Sequence, residues 1–235
     1  MFEYVGNLHV HSTYSDGTLS IEEIAVAAQK AGIDFVGIND HHHLQGLKEG
    51  KEGWYDERVL ILIGTEVNHT QHHFLAYDVT EEIPANDTTP QAVIDACNRQ
   101  GGIGFIAHPF EKGCPLGGGV YPWKDWSVTG YTGISIWNFC SMWKEKVYTI
   151  LHGLYYYCYP LAAVQRACPE AIARWDQECQ RRKVVAIGGS DAHGFRYRKG
   201  PLSLTLFPYP FLFRTVNVHI LTPTPFTRTL AQDRT

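Results

Sequence analysis

Nine side chains that could bind metal ions stand at or near the ends of the strands that the sequence predicts. Two pairs repeat one spacing: His9 with His11 near the start of the chain, and Asp191 with His193 far along it. Side chains alternate along a strand with a period of two, so each pair presents both members on one face, where one ion can contact both. The full set is His9, His11, Asp16, His41, Glu66, His73, His108, Asp191 and His193.

This set of donors is too large for a single ion. Imidazole nitrogens and carboxylate oxygens together favour borderline divalent metals in sites of about four to six ligands. A lone histidine is more often an ordinary core or surface residue, but ionisable side chains at the ends of nearly every buried strand indicate a shared site. We therefore predict a centre for two or three ions of Mn²⁺, Zn²⁺ or Fe²⁺.

The elements that must position these side chains alternate between strands and helices. Continuously apolar strands separated by helices indicate a parallel sheet covered on both faces. In a closed (β/α) barrel the C-terminal strand ends converge on one rim, whereas an open sheet would spread nine donors along a line. We therefore predict an α/β barrel. The predicted strands are residues 5–10, 34–39, 59–67, 72–79, 103–107, 133–137, 184–188 and 213–221, and the predicted helices are residues 20–31, 89–99 and 169–183.

Composition is that of an ordinary globular protein, and 235 residues fit one domain over residues 1–235. The net charge of −4 gives no basic field for general nucleic-acid binding. The six cysteines lack metal-ribbon spacing, which favours a reducing compartment. No export signal is recognised, and the most apolar stretch, residues 150–164, is too short to span a bilayer. We expect a cytoplasmic protein without a membrane segment.

Five ordered motifs resemble those of the PHP (polymerase and histidinol phosphatase) family. The resemblance covers residues 7–193 and implies a distorted, seven-stranded, TIM-like barrel with a two- or three-metal centre that hydrolyses phosphoesters. The Ser-Asp-Gly-Thr form, which places Asp16 where some members have histidine, resembles the branch that acts on small nucleotide-like phosphoesters. The motifs are His9-Val10-His11-Ser12 with Ser15-Asp16-Gly17-Thr18, Asp40-His41, Gly64-Thr65-Glu66, Ala107-His108-Pro109 and Ser190-Asp191-Ala192-His193.

The resemblance also implies how the donors are shared. His9, His11, Glu66 and Asp191 would hold a first ion. Glu66 would bridge to a second ion bound by His73 and His108, and Asp16, His41 and His193 would hold a third. Asp16, Glu66 and Asp191 are the predicted catalytic residues, acting through metal-bound water.

Three features leave alternatives open at this point. His69 and His72 compete with His73 for its position. Ser135 stands where family members often carry glutamate, which makes Asn138 a candidate site residue. Composition changes after about residue 200, and it stays open whether the C-terminal segment is truncated.

The substrate that these features predict is a small phosphorylated molecule, such as a nucleotide or a short oligonucleotide, and no obligate protein partner is readable. Arg196 and Lys112 are the candidate phosphate-binding residues, with Arg198 and Lys199 beside the first. The glycine-rich residues 113–119 are read as a rim loop. Two alternatives remain: a metal-dependent amide hydrolase, and a non-catalytic metal-binding module.

Overall fold

Seven strands wrap into a nearly closed barrel in the computed structural model, which describes residues 1–116, 118–199 and 202–226. They follow the order β1-β2-β4-β5-β6-β7-β8 around the barrel, while β11 pairs antiparallel with the first half of β1 and β3 pairs with β4. The predicted barrel is confirmed. The strands are β1 (Phe2–Val10), β2 (Phe35–Ile38), β3 (Gly53–Tyr55), β4 (Val59–Val67), β5 (Phe74–Tyr77), β6 (Ile103–Ile106), β7 (Gly133–Asn138), β8 (Val185–Gly189), β9 (Arg196–Lys199), β10 (Leu202–Thr205) and β11 (Val218–Thr222).

The barrel closes between β1 and the segment that follows β8. The backbone N–H of His11 donates to the carbonyl of Ala192 at 2.9 Å, and the N–H of Ala192 donates to the carbonyl of His9 at 3.2 Å. Val10 and Ala192 form a parallel bridge there. This junction, which we call the seam, joins the two motifs with His-x-His and Asp-x-His spacing.

Within the seven-stranded barrel, one strand departs from the predicted parallel arrangement. Strand β5 runs antiparallel to both of its neighbours, β4 and β6. The connection from β4 to β5, residues 68–73, is too short for the crossover that a parallel pair needs, so the chain turns back on itself. The reversal brings the start of β5, where His73 precedes Phe74, to the rim that collects the C-terminal ends of the other strands.

The barrel interior is filled by a small cluster of apolar side chains that come from several strands. Leu75, Tyr77, Phe105, Ala107 and Ile187 pack together there. The phenolic O–H of Tyr77 lies 2.8 Å from the carbonyl oxygen of Leu8 and 2.6 Å from Asn39 Oδ1, which ties β5 to β1 and to the end of β2. The interior is thus packed rather than open, and the polar rim lies at one end of it.

Helices cover the outside of the barrel. The predicted capping box is present in α1, where Ser20 Oγ accepts from the Glu23 N–H, and Gly32 ends the helix with a φ of +77°. Pro90 opens α3, but Thr89 makes no side-chain cap, and α6 ends at Cys179 rather than at residue 183. The helices are α1 (Ile21–Ala31), α2 (Gln45–Lys48), α3 (Pro90–Arg99), α4 (Phe139–Lys146), α5 (Ile150–Cys158), α6 (Pro169–Cys179) and α7 (Tyr209–Leu212), with a 3₁₀ turn at Pro160–Ala163.

The C-terminal segment contains a shorter strand than predicted. Residues 213–221 alternate in polarity, yet only Val218–Thr222 forms a strand, because the chain first makes helix α7 and buries Phe213 in the core. Among the described helices, none has the length and apolar character needed to cross a bilayer.

Candidate metal centre

All nine predicted donors meet at the rim of the barrel. They form three overlapping groups in which the potential ligand atoms of each group lie within 4.8 Å of one another. His11 belongs to two groups and Glu66 to two, so the groups are contiguous. They are His9, His11, Glu66 and Asp191; Glu66, His73 and His108; and His11, Asp16, His41 and His193.

Glu66 joins the first two groups through its two oxygens. Oε2 faces His9 Nε2 at 3.1 Å and His11 Nε2 at 3.3 Å, whereas Oε1 faces His73 Nδ1 at 2.9 Å and His108 Nε2 at 3.2 Å. A carboxylate with one oxygen toward each of two donor groups has the arrangement of a bridging ligand. The side chain is almost completely buried, so its position is determined by packing as well as by these contacts.

Asp191 completes the first group from across the seam. Its Oδ1 lies 3.3 Å from His9 Nε2 and 3.4 Å from His11 Nε2. Asn138, the last residue of β7, donates from Nδ2 to the other oxygen, Oδ2, at 3.2 Å. The amide thus orients the carboxylate, and Asn138 takes part in the site through Asp191.

The third group lies nearest to solvent. Asp16 Oδ1 is 3.3 Å from His193 Nε2, and its Oδ2 is 3.7 Å from His41 Nε2. The Asp16 side chain is 52% exposed, in contrast to the buried Glu66. We therefore expect an ion bound by this third group to dissociate more readily than ions bound by the other two groups, which share the buried Glu66.

The loop that carries Asp16 is held by Asp40. The carboxylate of Asp40 accepts from the Ser12 N–H at 2.8 Å, from Ser12 Oγ at 2.7 Å and from Ser15 Oγ at 2.6 Å. The phenolic oxygen of Tyr209 lies 2.8 Å from the His11 carbonyl and 3.0 Å from the His193 carbonyl, so it ties the two sides of the seam together. Asp40 and Tyr209 thus position the donors although neither belongs to the three groups.

Two of the donors sit in unusual backbone conformations. His108 has a φ of +24° and Asp191 a φ of +57°, values that residues other than glycine rarely adopt. Such conformations cost about 1–3 kcal/mol each and concentrate at functional sites, where the surrounding structure enforces them. Their presence at two donors indicates that the rim is shaped for the position of these side chains.

The histidines keep the three carboxylates of the site ionised. Burial alone would raise the pKa of Glu66 and Asp191, but neighbouring imidazoles, His9 foremost, hold both pKa values well below the ordinary range. Burial would likewise raise the pKa of Asp16, and the hydrogen bond to His193 and nearby imidazole charges lower it instead. Three carboxylates that stay charged at neutral pH make the rim an attractive place for cations.

The histidines themselves respond in two ways. Burial lowers the pKa of His11, but the carboxylates of Asp191 and Glu66 outweigh it and raise the pKa to about 10. Burial is likewise outweighed at His108, where Glu66 and Glu111 raise the pKa to about 9. At the more open His41, burial prevails and lowers the pKa to about 4.

Unpartnered nitrogen atoms test whether these residues suit metal ions. Buried polar atoms normally find a hydrogen-bond partner, and exceptions call for an explanation. Here His9 Nδ1, His11 Nδ1, His73 Nε2 and His108 Nδ1 are buried without such a partner. Together with the mixed imidazole and carboxylate chemistry, this fits a set of ligands for borderline divalent ions.

A cavity of about 590 Å³ opens above the donor groups. One wall is apolar and is made by Trp143, Phe195, Leu206 and Phe207. Phe195 stacks on His193 with ring centroids 4.7 Å apart, so this wall begins directly beside the third donor group. The cavity is large enough for a small organic molecule whose charged end lies on the donors.

Lys144 is the only lysine or arginine among the described residues that line this cavity. Its ammonium pairs with the buried carboxylate of Glu111 and lies 5.9 Å from the centre of the Tyr121 ring, which in turn stacks on His73 at 4.4 Å. Glu111 also faces His108 Nδ1 at 3.8 Å. Lys144 is therefore adjacent to the second donor group, and its pKa is raised by Glu111 and Asp191 against the effect of burial.

The two cations that we predicted for substrate binding lie elsewhere. Lys112 is mostly exposed and pairs with Glu170 at 2.6 Å, outside the residues that line the cavity. Arg196 is exposed at the start of β9, also outside that lining. The side chains of Arg198 and Lys199 fall outside the described part of the structure.

The competition among neighbouring histidines is resolved by their contacts. His73 reaches Glu66, whereas His72 has its Nδ1 2.9 Å from the Asp87 carbonyl and accepts the Asp125 N–H at Nε2. His69 lines the cavity and packs against His42 with ring centroids 3.9 Å apart. Of the three, His73 alone joins a donor group.

Sequence reasoning placed Asp40 in a motif without giving it a role, and it did not find Glu111, Lys144 and Tyr209 as parts of this region. Asp40 directly precedes His41, and that adjacency was the only available signal. Glu111 lies on the loop after β6 and Lys144 on helix α4 after β7, places where acidic and basic residues usually face solvent. Glycines 118 and 119 of the glycine-rich loop line the cavity, in agreement with a rim position, while residue 117 lies outside the described residues.

Part of the chain is similar in sequence to known proteins. Residues 7–112 match the model of the PHP domain. An uncharacterized protein of Methanocaldococcus jannaschii is 29% identical over 119 residues, which are 46% of this chain and 69% of that protein.

Two solved structures share the fold. A two-domain protein of Bacteroides vulgatus that contains a predicted PHP-like metal-dependent phosphoesterase gives a TM-score of 0.51 at 20% identity, over 82% of this chain and 52% of that chain. A protein of Bifidobacterium adolescentis assigned as a metal-dependent phosphoesterase gives 0.52 at 17% identity, over 80% of this chain and 87% of that one. The chain thus spans about half the length of the Bacteroides protein. Asp191 and His193 lie beyond the matched residues, yet the barrel brings them to the same centre. The resemblance seen in the motifs is confirmed: residues 7–112 match the PHP domain, and the two solved structures share the fold.

Proposed function

We propose that this protein hydrolyses phosphoester bonds, in a small nucleotide or nucleotide-like substrate, with two or three divalent ions. The observation that carries the proposal is the convergence of three donor groups that share Glu66 and His11 on the floor of one cavity. Structural metal sites are usually closed, whereas these groups face a cavity, as catalytic sites do. The PHP domain match and the phosphoesterase assignments of the structural relatives point to the same reaction class.

The ions would be held by the three groups, with Glu66 between the first and the second. When bound, such ions would act as Lewis acids on the phosphoryl oxygens and would lower the pKa of a coordinated water toward about 7. The protein then has to orient the substrate and accept the charge that develops, since phosphoryl transfer needs little covalent chemistry from side chains.

Lys144 is the residue that we assign to the charged end of the substrate. It is the one lysine or arginine among the described cavity-lining residues, and it is adjacent to His73 through Tyr121. Its ammonium is anchored by Glu111, whose second oxygen accepts the Tyr121 N–H at 3.0 Å. An anchored cation that faces a cavity can donate to a phosphate oxygen without first being ordered.

The apolar wall would hold the rest of the substrate. Phe207 meets Trp143 edge to face with ring centroids 5.0 Å apart, and Phe195 is fixed on His193. Flat aromatic surfaces of this kind stack well with nucleobases. This supports a nucleoside as the alcohol component of the ester.

The test is an activity panel on protein reconstituted with Mn²⁺ or Zn²⁺, with metal content measured on the same samples. The panel contains p-nitrophenyl phosphate, bis-p-nitrophenyl phosphate, nucleotides, dinucleotides and an amide substrate. We expect metal-dependent release from a phosphoester, its loss with a chelator and its recovery on adding the ion. Two bound equivalents of metal with turnover of the amide alone would assign the amide hydrolase, and metal without any turnover would assign the non-catalytic module.

A further inference from the structure

Helix α5 is apolar but has no buried residue. It spans Ile150–Cys158, and Ile150 and Leu151 are 74% and 76% exposed. A helix that is apolar on all sides normally lies inside a protein, because exposing it to water forfeits the stabilisation that burial provides. Among the described residues, none covers the exposed side chains of helix α5, which is therefore a surface available to a partner.

The exposed side chains continue on both sides of the helix. The segment from residue 147 to residue 165 contains no charged residue. Eight of its large side chains are exposed, and we call this set the α5 patch. The α5 patch comprises Tyr148, Ile150, Leu151, Leu154, Tyr155, Tyr157, Tyr159 and Leu161.

The size of the α5 patch is that of a protein interface. Eight side chains of this kind at their observed exposures present on the order of 1,000 Å² to solvent. The largest apolar patch on a typical monomer covers roughly 300–600 Å², whereas each partner in a standard interface contributes about 800 Å². Tyrosine is also enriched in interfaces, because it combines a large apolar ring with a hydroxyl that can remain hydrated.

We propose that the α5 patch binds the α5 patch of a second copy of this chain and forms a symmetric dimer. A twofold axis places the same surface on both partners, so that surface must complement itself. A patch without charge meets this requirement, since like charges do not face each other and no ion has to be desolvated.

A lipid surface is the competing partner and fits the helix less well. Helices that lie in a membrane interface have one apolar face and an opposite face rich in lysine and arginine. Helix α5 has neither a basic residue nor a polar face of that kind. A second copy can cover more of its circumference than a flat bilayer can.

The α5 patch borders the cavity above the donor groups. Tyr157 lies against Phe207 of the apolar cavity wall with ring centroids 6.0 Å apart, and Trp143 Nε1 donates to the Tyr156 carbonyl at 3.0 Å. The dimer would therefore bring a second copy next to the cavity entrance. The proposal concerns assembly and does not depend on which bond the protein hydrolyses.

The experiment is sedimentation equilibrium of the full chain from about 1 to 100 µM, beside the variant Leu151→Glu with Leu154→Glu. We expect a reversible dimer for the unchanged protein and a dissociation constant at least about 100-fold larger for the double variant, since each substituted residue lies in the centre of the patch. Val26→Glu, an equally drastic change at a half-exposed aliphatic residue of α1, is the matched control and should leave the dimer intact. Thermal melting checks that the double variant and the control variant fold. Both should fold, because the substituted side chains are exposed.

Three outcomes would overturn the proposal. The unchanged chain could be monomeric over the whole range, or the double variant could remain dimeric, which would place the interface elsewhere. The third is a monomer that co-sediments with vesicles of phosphatidylcholine and phosphatidylglycerol and loses this binding in the double variant. That result would assign the α5 patch to a lipid surface.

Discussion

The substitution Glu66→Gln should remove both metal binding and turnover while leaving the barrel folded. Glutamine keeps the shape of the side chain but loses the charge that faces His9 and His11 through one oxygen and His73 and His108 through the other. Each of two donor groups thereby loses its shared carboxylate. Because changes even to residues behind the ligands weaken metal binding by about 10–100-fold, we expect a loss of at least about 100-fold at each group. In kcat/KM the loss should reach at least about 1,000-fold, which corresponds to about 4 kcal/mol of transition-state stabilisation.

The assay combines elemental analysis after reconstitution with hydrolysis of p-nitrophenyl phosphoesters at several metal concentrations. Glu178→Gln is the matched control, because Glu178 is also a buried carboxylate, pairs with Arg174 at 2.6 Å and lies outside all three donor groups. The control should keep its metal and its activity. A Glu66→Gln protein that retained two equivalents of metal, or more than about a tenth of the activity, roughly 1.4 kcal/mol of barrier, would refute the bridging role.

Three further predictions follow from the same contacts. Lys144→Met should lower kcat/KM for a phosphoester by about 10–1,000-fold with unchanged metal content, and Lys144→Arg should retain part of the activity that Lys144→Met loses. Equal activity in the unchanged protein and in both variants would refute phosphate binding at this residue. His73→Ala should lose one equivalent of metal, whereas His72→Ala should keep all of it and lower the melting temperature, which elemental analysis and calorimetry distinguish. In the metal-free protein the pKa values of His11 and His108 are raised above 6.5, to about 10 and about 9, so both imidazoles are protonated at pH 7. Their positive charge stabilises the fold fully below about pH 6.5, and this stabilisation is lost as the pH rises through 9–10. Metal binding should therefore release about two protons per chain near pH 7, and the affinity for metal should increase as the pH rises. Titration calorimetry in buffers of different ionisation enthalpy measures the number of protons released, and a value near zero would contradict the prediction.

The donors could be predicted because their signal is local. A two-residue spacing on a strand fixes which side chains share a face, and the apolar strands around them were readable from composition. The barrel followed from the need to bring nine donors together, and the structure agrees. Even Asn138 was a candidate, because Ser135 stands where members of the resembling family often carry glutamate.

Two features could not be read from the residues. The continuously apolar sequence of β5 looks the same in either direction, so its reversal depends on the short connection before it and on pairing with β4 and β6. Lys112 follows β6 and Lys144 follows β7, and only the path of α4 brings Lys144 to the cavity. The sequence around a charged residue on a surface helix does not indicate whether its side chain faces solvent or a cavity.

The seam has a consequence for the order in which the molecule is completed. Glu66 and His73 are joined by one short turn, so their side chains meet as soon as the β4–β5 pair forms. His9 and Asp191 come from distant parts of the chain, and their contact requires nearly the whole fold, a late and entropically costly closure. Ions bound by donors on both sides of the seam would stabilise the closed barrel, because they bind the folded chain and not the open one. Hydrogen exchange at the amides of His11 and Ala192, which hold the seam, should therefore slow on adding metal far more than exchange within the β4–β5 pair.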